Sequence, residues 1–202
     1  IHGGAIPTEG TTFETDTGYR SQANVAEKRR IAAAAARLLK GAESVFIDEG
    51  FTPQLIAEEL GSLGRLVVVT ASLPAALALS NDSDATVLLL GGRMRGRTRA
   101  TVDHWALRML GEMTIDVAFL GANGISRDRG ITTPDPAVAA VKQEAVRRAR
   151  RRILIGDHTK FGMVSFCRFA EVGDFEAIIT DTGLSSGEVA RYEAMGPRVI
   201  RV

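Results

Sequence analysis

The sequence predicts an α/β fold, Rossmann-like, with a mostly parallel sheet flanked by helices. Short apolar runs recur at residues 44–48, 66–70, 86–90, 115–120, 153–156, 177–181 and 198–202. Helical stretches near 53–60, 73–80, 101–111, 135–150 and 186–195 lie between them. This alternation builds βαβ units, whose strands are buried on both faces and so read as continuous apolar runs. Several runs end in small or polar residues, at the carboxyl ends where such sheets hold ligands.

Residues 1–21, "IHGGAIPTEGTTFETDTGYRS", show no apolar period and read as a linker or arm, leaving residues 22–202 as one domain. In "NVAEKRRIAAAAARLLKG", Ile31, Ala34, Ala35, Leu38 and Leu39 share a helical face, and Gly41 stands where a helix stops. The first strand run, Ser44 to Ile47, leads into "DEGFTPQLIAEEL". Thr52-Pro53 here, Ser72-Leu73-Pro74 after the second run and Thr133-Pro134 before the long helix each place a hydroxyl one or two residues ahead of a proline. That pairing suits a helix N-cap, and a helix N-terminus with free N–H groups suits an anion.

Gly91, Gly92 and Arg93 in "LLLGGRMRG" combine backbone that a ligand can approach with a side chain that pairs with anions. Gly121, Asn123 and Gly124 in "FLGANGI" offer backbone N–H groups and an amide. Lysine occurs only at 28, 40, 142 and 160, so its placement is informative. Lys142 falls nine residues after Thr133, about two and a half helical turns, too far to share a phosphate with that cap unless another loop folds over it. Lys160 sits in "GDHTKFG", beside Asp157, Phe161 and Gly162, a stretch that reads as a shaped loop. Each lysine has a plainer reading as a solvated surface group.

Composition narrows the chemistry. A net charge of +1 is far from the basic balance of a domain that neutralises many phosphates alone. The run "RRARRR" at 147–152 could touch nucleic acid, but reads more simply as arginines that offset a helix dipole and stay solvated. One cysteine, Cys167, forms no internal disulfide and fits a reducing cytoplasm. The histidines, His2, His104 and His158, are too scattered for a zinc motif, and no metal is expected. His158 beside Asp157 could act as a base, though no nucleophile accompanies it. His104-Trp105 reads as packing or a subunit contact. G-x-G-x-x-G and G-K-[ST] spacings are absent, so no nucleotide cofactor is expected. No apolar run approaches the roughly 20 residues of a membrane helix.

An ordered set of segments resembles the effector-binding domain of the DeoR family of bacterial transcriptional regulators. These are "HGGA" (2–5), "EKRRIAAAAARLL" (27–39), "DEGFT" (48–52), "VVTASL" (68–73), "LLLGGRMR" (88–95), "DVAFLGANGI" (116–125), "GITTPD" (130–135) with Lys142, "DHTKFG" (157–162) and "ITD" (179–181). The resemblance implies a fold similar to ribose-5-phosphate isomerase and the CoA transferases, no catalysis, and a phosphorylated sugar or polyol as effector. It implies a winged helix-turn-helix ahead of "HGGA" that binds DNA, in agreement with a chain that starts at Ile1 and reads as a fragment. A homo-oligomer, dimer or tetramer, is also expected. By the same resemblance, Asp48, Gly50, Thr52, Thr70, Ser72, Gly91, Gly92, Gly121, Asn123, Gly124, Thr133, Asp135, Lys142 and Lys160 line the pocket; Phe51, Arg93 and Asp157 complete the candidate set.

Two residues depart from the family pattern, Phe51 for a threonine and Ala71 for an asparagine, each removing a polar group. An isomerase is the enzymatic alternative. It needs a carboxylate to move a proton between carbons, yet the loop that carries two aspartates in isomerase-like enzymes offers Leu120 and Asn123 here, and Val141 precedes Lys142. A third reading is an oligomerisation scaffold whose pocket binds nothing.

Overall fold

The structure is a computed structural model that describes residues 22–60, 65–82 and 84–202. The arm expected over residues 1–21 lies outside the described residues. Helix α1 (Val25–Arg37) leads to β1 (Ser44–Ile47), α2 (Phe51–Glu59), β2 (Val67–Thr70), α3 (Leu73–Asp82) and β3 (Thr86–Leu89). A hairpin of β4 (Arg93–Arg95) and β5 (Ala100–Val102) precedes α4 (His104–Gly111) and β6 (Ile115–Gly121). Strands β7 (Gly124–Ser126) and β8 (Gly130–Thr133) lead to α5 (Pro136–Arg148) and β9 (Ala149–Ile155). After a 3-10 turn at His158–Lys160 come β10 (Cys167–Ala170), β11 (Ala177–Thr180), α6 (Ser186–Glu193) and β12 (Arg198–Arg201).

Seven strands form one sheet in the order β12-β11-β9-β6-β1-β2-β3, every neighbouring pair parallel. These are the seven strands the apolar runs predict. Their residues alternate between two cores, as a sheet covered on both faces requires. Val45, Ile47, Val117 and Phe119 pack with Ile31 from α1, Leu55 from α2 and Leu60 at its C-cap. Phe46, Ala118 and Leu120 pack on the opposite face with Leu110 from α4, Val138 and Ala145 from α5, and Tyr192 from α6. A three-stranded antiparallel sheet, β10-β8-β7, joins that second core through Ile125, Ile131 and Phe169.

Chain order reverses at β1, with β2 and β3 on one side and β6 on the other. In open α/β sheets the crevice at such a reversal, beyond the strand carboxyl ends, is where ligands bind. The carboxyl ends of β1 and β6 meet there.

Several expectations need correction. The stretch 101–111 is not all helix: Ala100–Val102 is a strand, and α4 starts only after Asp103, whose φ is +75°. The long helix ends at Arg148, and β9 begins at Ala149 rather than 153. The run "RRARRR" therefore spans a helix end and a strand. Its charges meet acids: Arg148 Nε donates to Glu144 at 2.6 Å, Arg150 reaches Asp116 at 3.3 Å, and Arg151 grips Glu176 with two bonds of 2.8 and 3.0 Å. Trp105 is 61% exposed, so it does not pack inside the domain.

Candidate functional site

A cleft opens at the switch point, lined by Lys28, Glu49, Gly50, Phe51, Thr52, Pro53, Gly121, Ala122, Asn123, Lys142, Ile155, Gly156, Asp157 and Lys160. Three strand ends supply its floor: β1 through Glu49 and Gly50, β6 through Gly121 to Asn123, and β9 through Ile155 to Asp157.

Helix α2 begins differently from the sequence expectation. Its N-cap is Gly50, with φ +115° and no side-chain cap, while Thr52 and Pro53 fall inside the first turn. Glycine accepts that backbone angle without the strain a Cβ brings. Pro53 has no N–H and Gln54 N–H already donates to Gly50 O at 3.1 Å. The first-turn amides of Phe51 and Thr52 belong to an uncapped helix end that borders the cleft. Such an end carries the positive pole of the helix dipole and favours an anion.

Helix α5 lacks this capacity. Asp135, not Thr133, is its N-cap, and Asp135 Oδ1 accepts from Ala137 N–H at 2.8 Å and Val138 N–H at 3.1 Å. Pro136 has no N–H and Ala139 N–H donates to Asp135 O, so the first turn is already satisfied. At α3 the expected cap forms, Ala75 N–H donating to Ser72 Oγ at 3.3 Å. Of three helix starts with the same sequence grammar, α2 alone is left without a side-chain cap.

Lys142 and Asp48 form a buried ion pair under the cleft, their side chains 3% and 1% exposed. Asp48 Oδ2 also accepts from Gly121 N–H at 2.8 Å, and Lys142 Nζ donates to Gly121 O at 3.1 Å. The lysine stands 5.5 Å from the Phe169 ring centroid. Lys142 thus reaches the end of β1 from the middle of α5, because it lies on the buried stripe with Val138, Ala139, Ala145 and Val146. The surface reading for Lys142 is wrong. Asn123 is fixed by Thr133, whose Oγ1 donates to Asn123 Oδ1 at 3.1 Å.

The cleft brings together Gly50, Phe51, Thr52, Gly121, Asn123, Lys142, Asp157 and Lys160 among the candidates, with Asp48 beneath them. It does not include Thr70, Ser72, Gly91, Gly92, Arg93, Gly124, Thr133 or Asp135. Physical reasons separate them. Thr70 Oγ1 donates to Ile47 O at 2.7 Å and accepts from Ser72 N–H at 3.0 Å, so its hydroxyl ties the carboxyl end of β2 to that of β1. Arg93 pairs with Asp103 at 2.7 Å on the exposed hairpin, and Asp135 pairs with Arg95 at 3.0 Å. A Cβ on Gly124 would strike Met163 O at 2.5 Å, so that glycine answers to packing. Sequence reasoning missed Lys28, Glu49 and Pro53. Lys28 shares a helical stripe with Ile31, Ala32 and Ala35, at spacings of three, four and seven, and a lysine on an apolar stripe was the signal.

His158 pairs with Asp181 rather than Asp157. Its Nδ1 lies 2.8 Å from Asp181 Oδ1, and its backbone N–H donates to Asp181 Oδ2 at 2.7 Å. Burial raises the Asp181 pKa, but N–H donors from His158 and Gly183 and the His158 ring outweigh it and hold the carboxyl below its usual value. A lowered folded pKa gives stability that is complete above the unfolded value and is lost as pH falls through the folded one. Asp181→Asn is expected to cost about 1–3 kcal/mol at neutral pH. The difference from wild type in urea unfolding should be largest above about pH 4 and shrink as pH falls further; a pH-independent difference would remove this account.

Fold and crevice define the class of protein first: a doubly wound α/β domain with its cleft at the topological switch point. The fold is shared with ribose 5-phosphate isomerase A from Methanocaldococcus jannaschii, at a TM-score of 0.50 and 17% identity over 69% of this chain and 55% of that one. It is shared too with eIF2B beta from Chaetomium thermophilum, at a TM-score of 0.52 and 12% identity over 74% and 47%. The chain belongs to the DeoR family: the family model for the DeoR C terminal sensor domain matches residues 23–182. Among curated relatives, the HTH-type transcriptional regulator FruR of Bacillus subtilis is 34% identical over 90% of this chain and 72% of its own length. The HTH-type transcriptional regulator GlpR of Haloferax volcanii is 33% identical over 98% and 78%, and the glycerol-3-phosphate regulon repressor of Escherichia coli 29% over 89% and 71%. These relatives are named as regulators, and this chain is the sensor domain of one, not an enzyme. No helix among the described residues is long and apolar enough to cross a membrane.

Proposed function

We propose that this domain senses a phosphorylated sugar or polyol at the switch-point cleft. The observation that carries the reading is the uncapped N-terminus of α2, whose Phe51 and Thr52 border the same cleft as Lys160. The positive end of the α2 dipole, its first-turn amides and Lys160 border one cleft, a combination that suits a phosphate group. In this reading Asn123 and Lys142, which line the same cleft, contact the rest of the ligand. Support also comes from the Escherichia coli relative, which is named for glycerol 3-phosphate.

Sensing is favoured over isomerisation by what holds Asp48. It is ion-paired to Lys142 and hydrogen-bonded to Gly121 N–H, so it anchors the cleft and is not poised to take a substrate proton. The regulator acts in the cytoplasm as a homo-oligomer, most simply a repressor. A helix-turn-helix module ahead of the sensor contacts DNA, and the ligand acts through unequal affinity for the oligomer's DNA-binding and released states.

Thermal unfolding of the chain against glycerol 3-phosphate, ribose 5-phosphate, other sugar phosphates and their unphosphorylated parents tests this. A ligand at about 100 times its Kd should add about 2.7 kcal/mol to folded stability, seen as a raised Tm, without turnover. A response to the unphosphorylated parents as strong as to the phosphates would overturn the phosphate assignment. Conversion of ribose 5-phosphate would restore the isomerase reading.

A further inference from the structure

Lys28 belongs to the first turn of α1, yet its side chain ends in the cleft. The residue is 5% exposed. Its Nζ donates to Ala23 O at 2.7 Å, lies 5.8 Å from the Phe51 ring centroid, and stands 3.8 Å from Asp157 Oδ2. That last separation exceeds hydrogen-bond length, so charge alone holds the pair. On its other oxygen Asp157 accepts from Thr159 N–H at 3.0 Å and from the Thr159 hydroxyl, and more weakly from Asn24 Nδ2 at 3.4 Å; Asn24 is the N-cap of α1, with φ +52°. One carboxylate at the end of β9 therefore holds both the N-cap of α1 and its first lysine.

A phosphate group entering beside Phe51 offers Lys28 more negative charge and more acceptors than Asp157 does, and it repels the Asp157 carboxylate. We propose that Lys28 is a ligand-binding residue that exchanges Asp157 for the anionic group of the ligand. The exchange loosens the Asp157 hold on Asn24 and so transmits occupancy to the chain segment that enters α1. This inference rests on the phosphorylated-ligand reading of the cleft, and adds to it a binding residue and a direction of transmission.

Calorimetric titration of the full chain with glycerol 3-phosphate, ribose 5-phosphate and inorganic phosphate, with amide hydrogen exchange across α1, tests it. Lys28→Met should weaken binding by about tenfold or more, the loss of one charge-assisted contact, and Lys28→Arg should recover part of that loss. Asp157→Asn keeps the acceptor oxygen but removes the competing charge, so it should bind tighter than wild type, a gain that a misfolded variant does not produce. Ligand should speed exchange in the first turn of α1 in wild type but not in Lys28→Met. If wild type binds one of these probes while Lys28→Met binds equally well, or Asp157→Asn binds more weakly, the role of Lys28 falls and the site reading stands. If wild type binds none of the three and none of the other sugar phosphates, both fall.

Discussion

Lys142→Met is expected to destabilise the domain by about 3–5 kcal/mol, because it leaves Asp48 charged and buried without its cation. Asp48 is 1% exposed and would keep the Gly121 N–H donor. The thioether has the length to fill the space beside Phe169, so lost packing is a minor part of the effect. A double-mutant cycle separates the contributions. Asp48→Asn in the Lys142→Met background should recover much of the loss, since removing both charges is far less costly than stranding one. Equal losses in the single and double variants, measured by denaturant unfolding, would mean that this pair does not hold the strand ends together.

Gly92→Ala is expected to cost roughly 2–5 kcal/mol from left-handed strain and overpacking together. Gly92 has φ +130°, and a Cβ there would collide with the Val102 carbonyl oxygen. Since Val102 pairs with Arg93 across the β4-β5 hairpin, the collision would push the two strands apart. Resemblance assigns Gly92 to the ligand pocket, whereas its position assigns it to the hairpin. Measurement of both stability and glycerol 3-phosphate affinity on the variant distinguishes these roles. A stable Gly92→Ala chain with weakened binding would favour the pocket; lower stability with unchanged affinity in the folded fraction is the result expected here.

Residues near the cleft show how similar sequence signals lead to different outcomes. Thr52-Pro53 and Thr133-Pro134 look alike in the chain. In the fold, a glycine with positive φ starts α2 before Thr52, whereas Asp135 starts α5 after Pro134 and satisfies its first turn. Cap identity depends on where the strand lets go of the chain, and that follows from pairing partners far away. Thr133 is held in β8 by its pairing with Cys167 of β10. Lys142 and Lys28 are the converse case. Both sit on apolar helical stripes, a sign of burial that the surface reading of a lysine passed over, and their shared cleft was not legible, because it joins α1 and α5 from opposite faces of the sheet.

The sequence by itself determined the class of fold, the seven parallel strands and the family. Apolar runs of strand length separated by amphipathic helices have few stable arrangements, and the spacing of short segments carries family descent. Tertiary structure alone decided which strand ends meet. Strand order places β1 beside β6, with β9 next to β6. That adjacency gathers Gly50, Gly121, Asn123, Asp157 and Lys160 into one cleft and leaves Thr70, Gly92 and Arg93 to hold neighbouring structure. Order across a sheet is set by long-range packing of the two cores, and local sequence does not encode which carboxyl ends become neighbours.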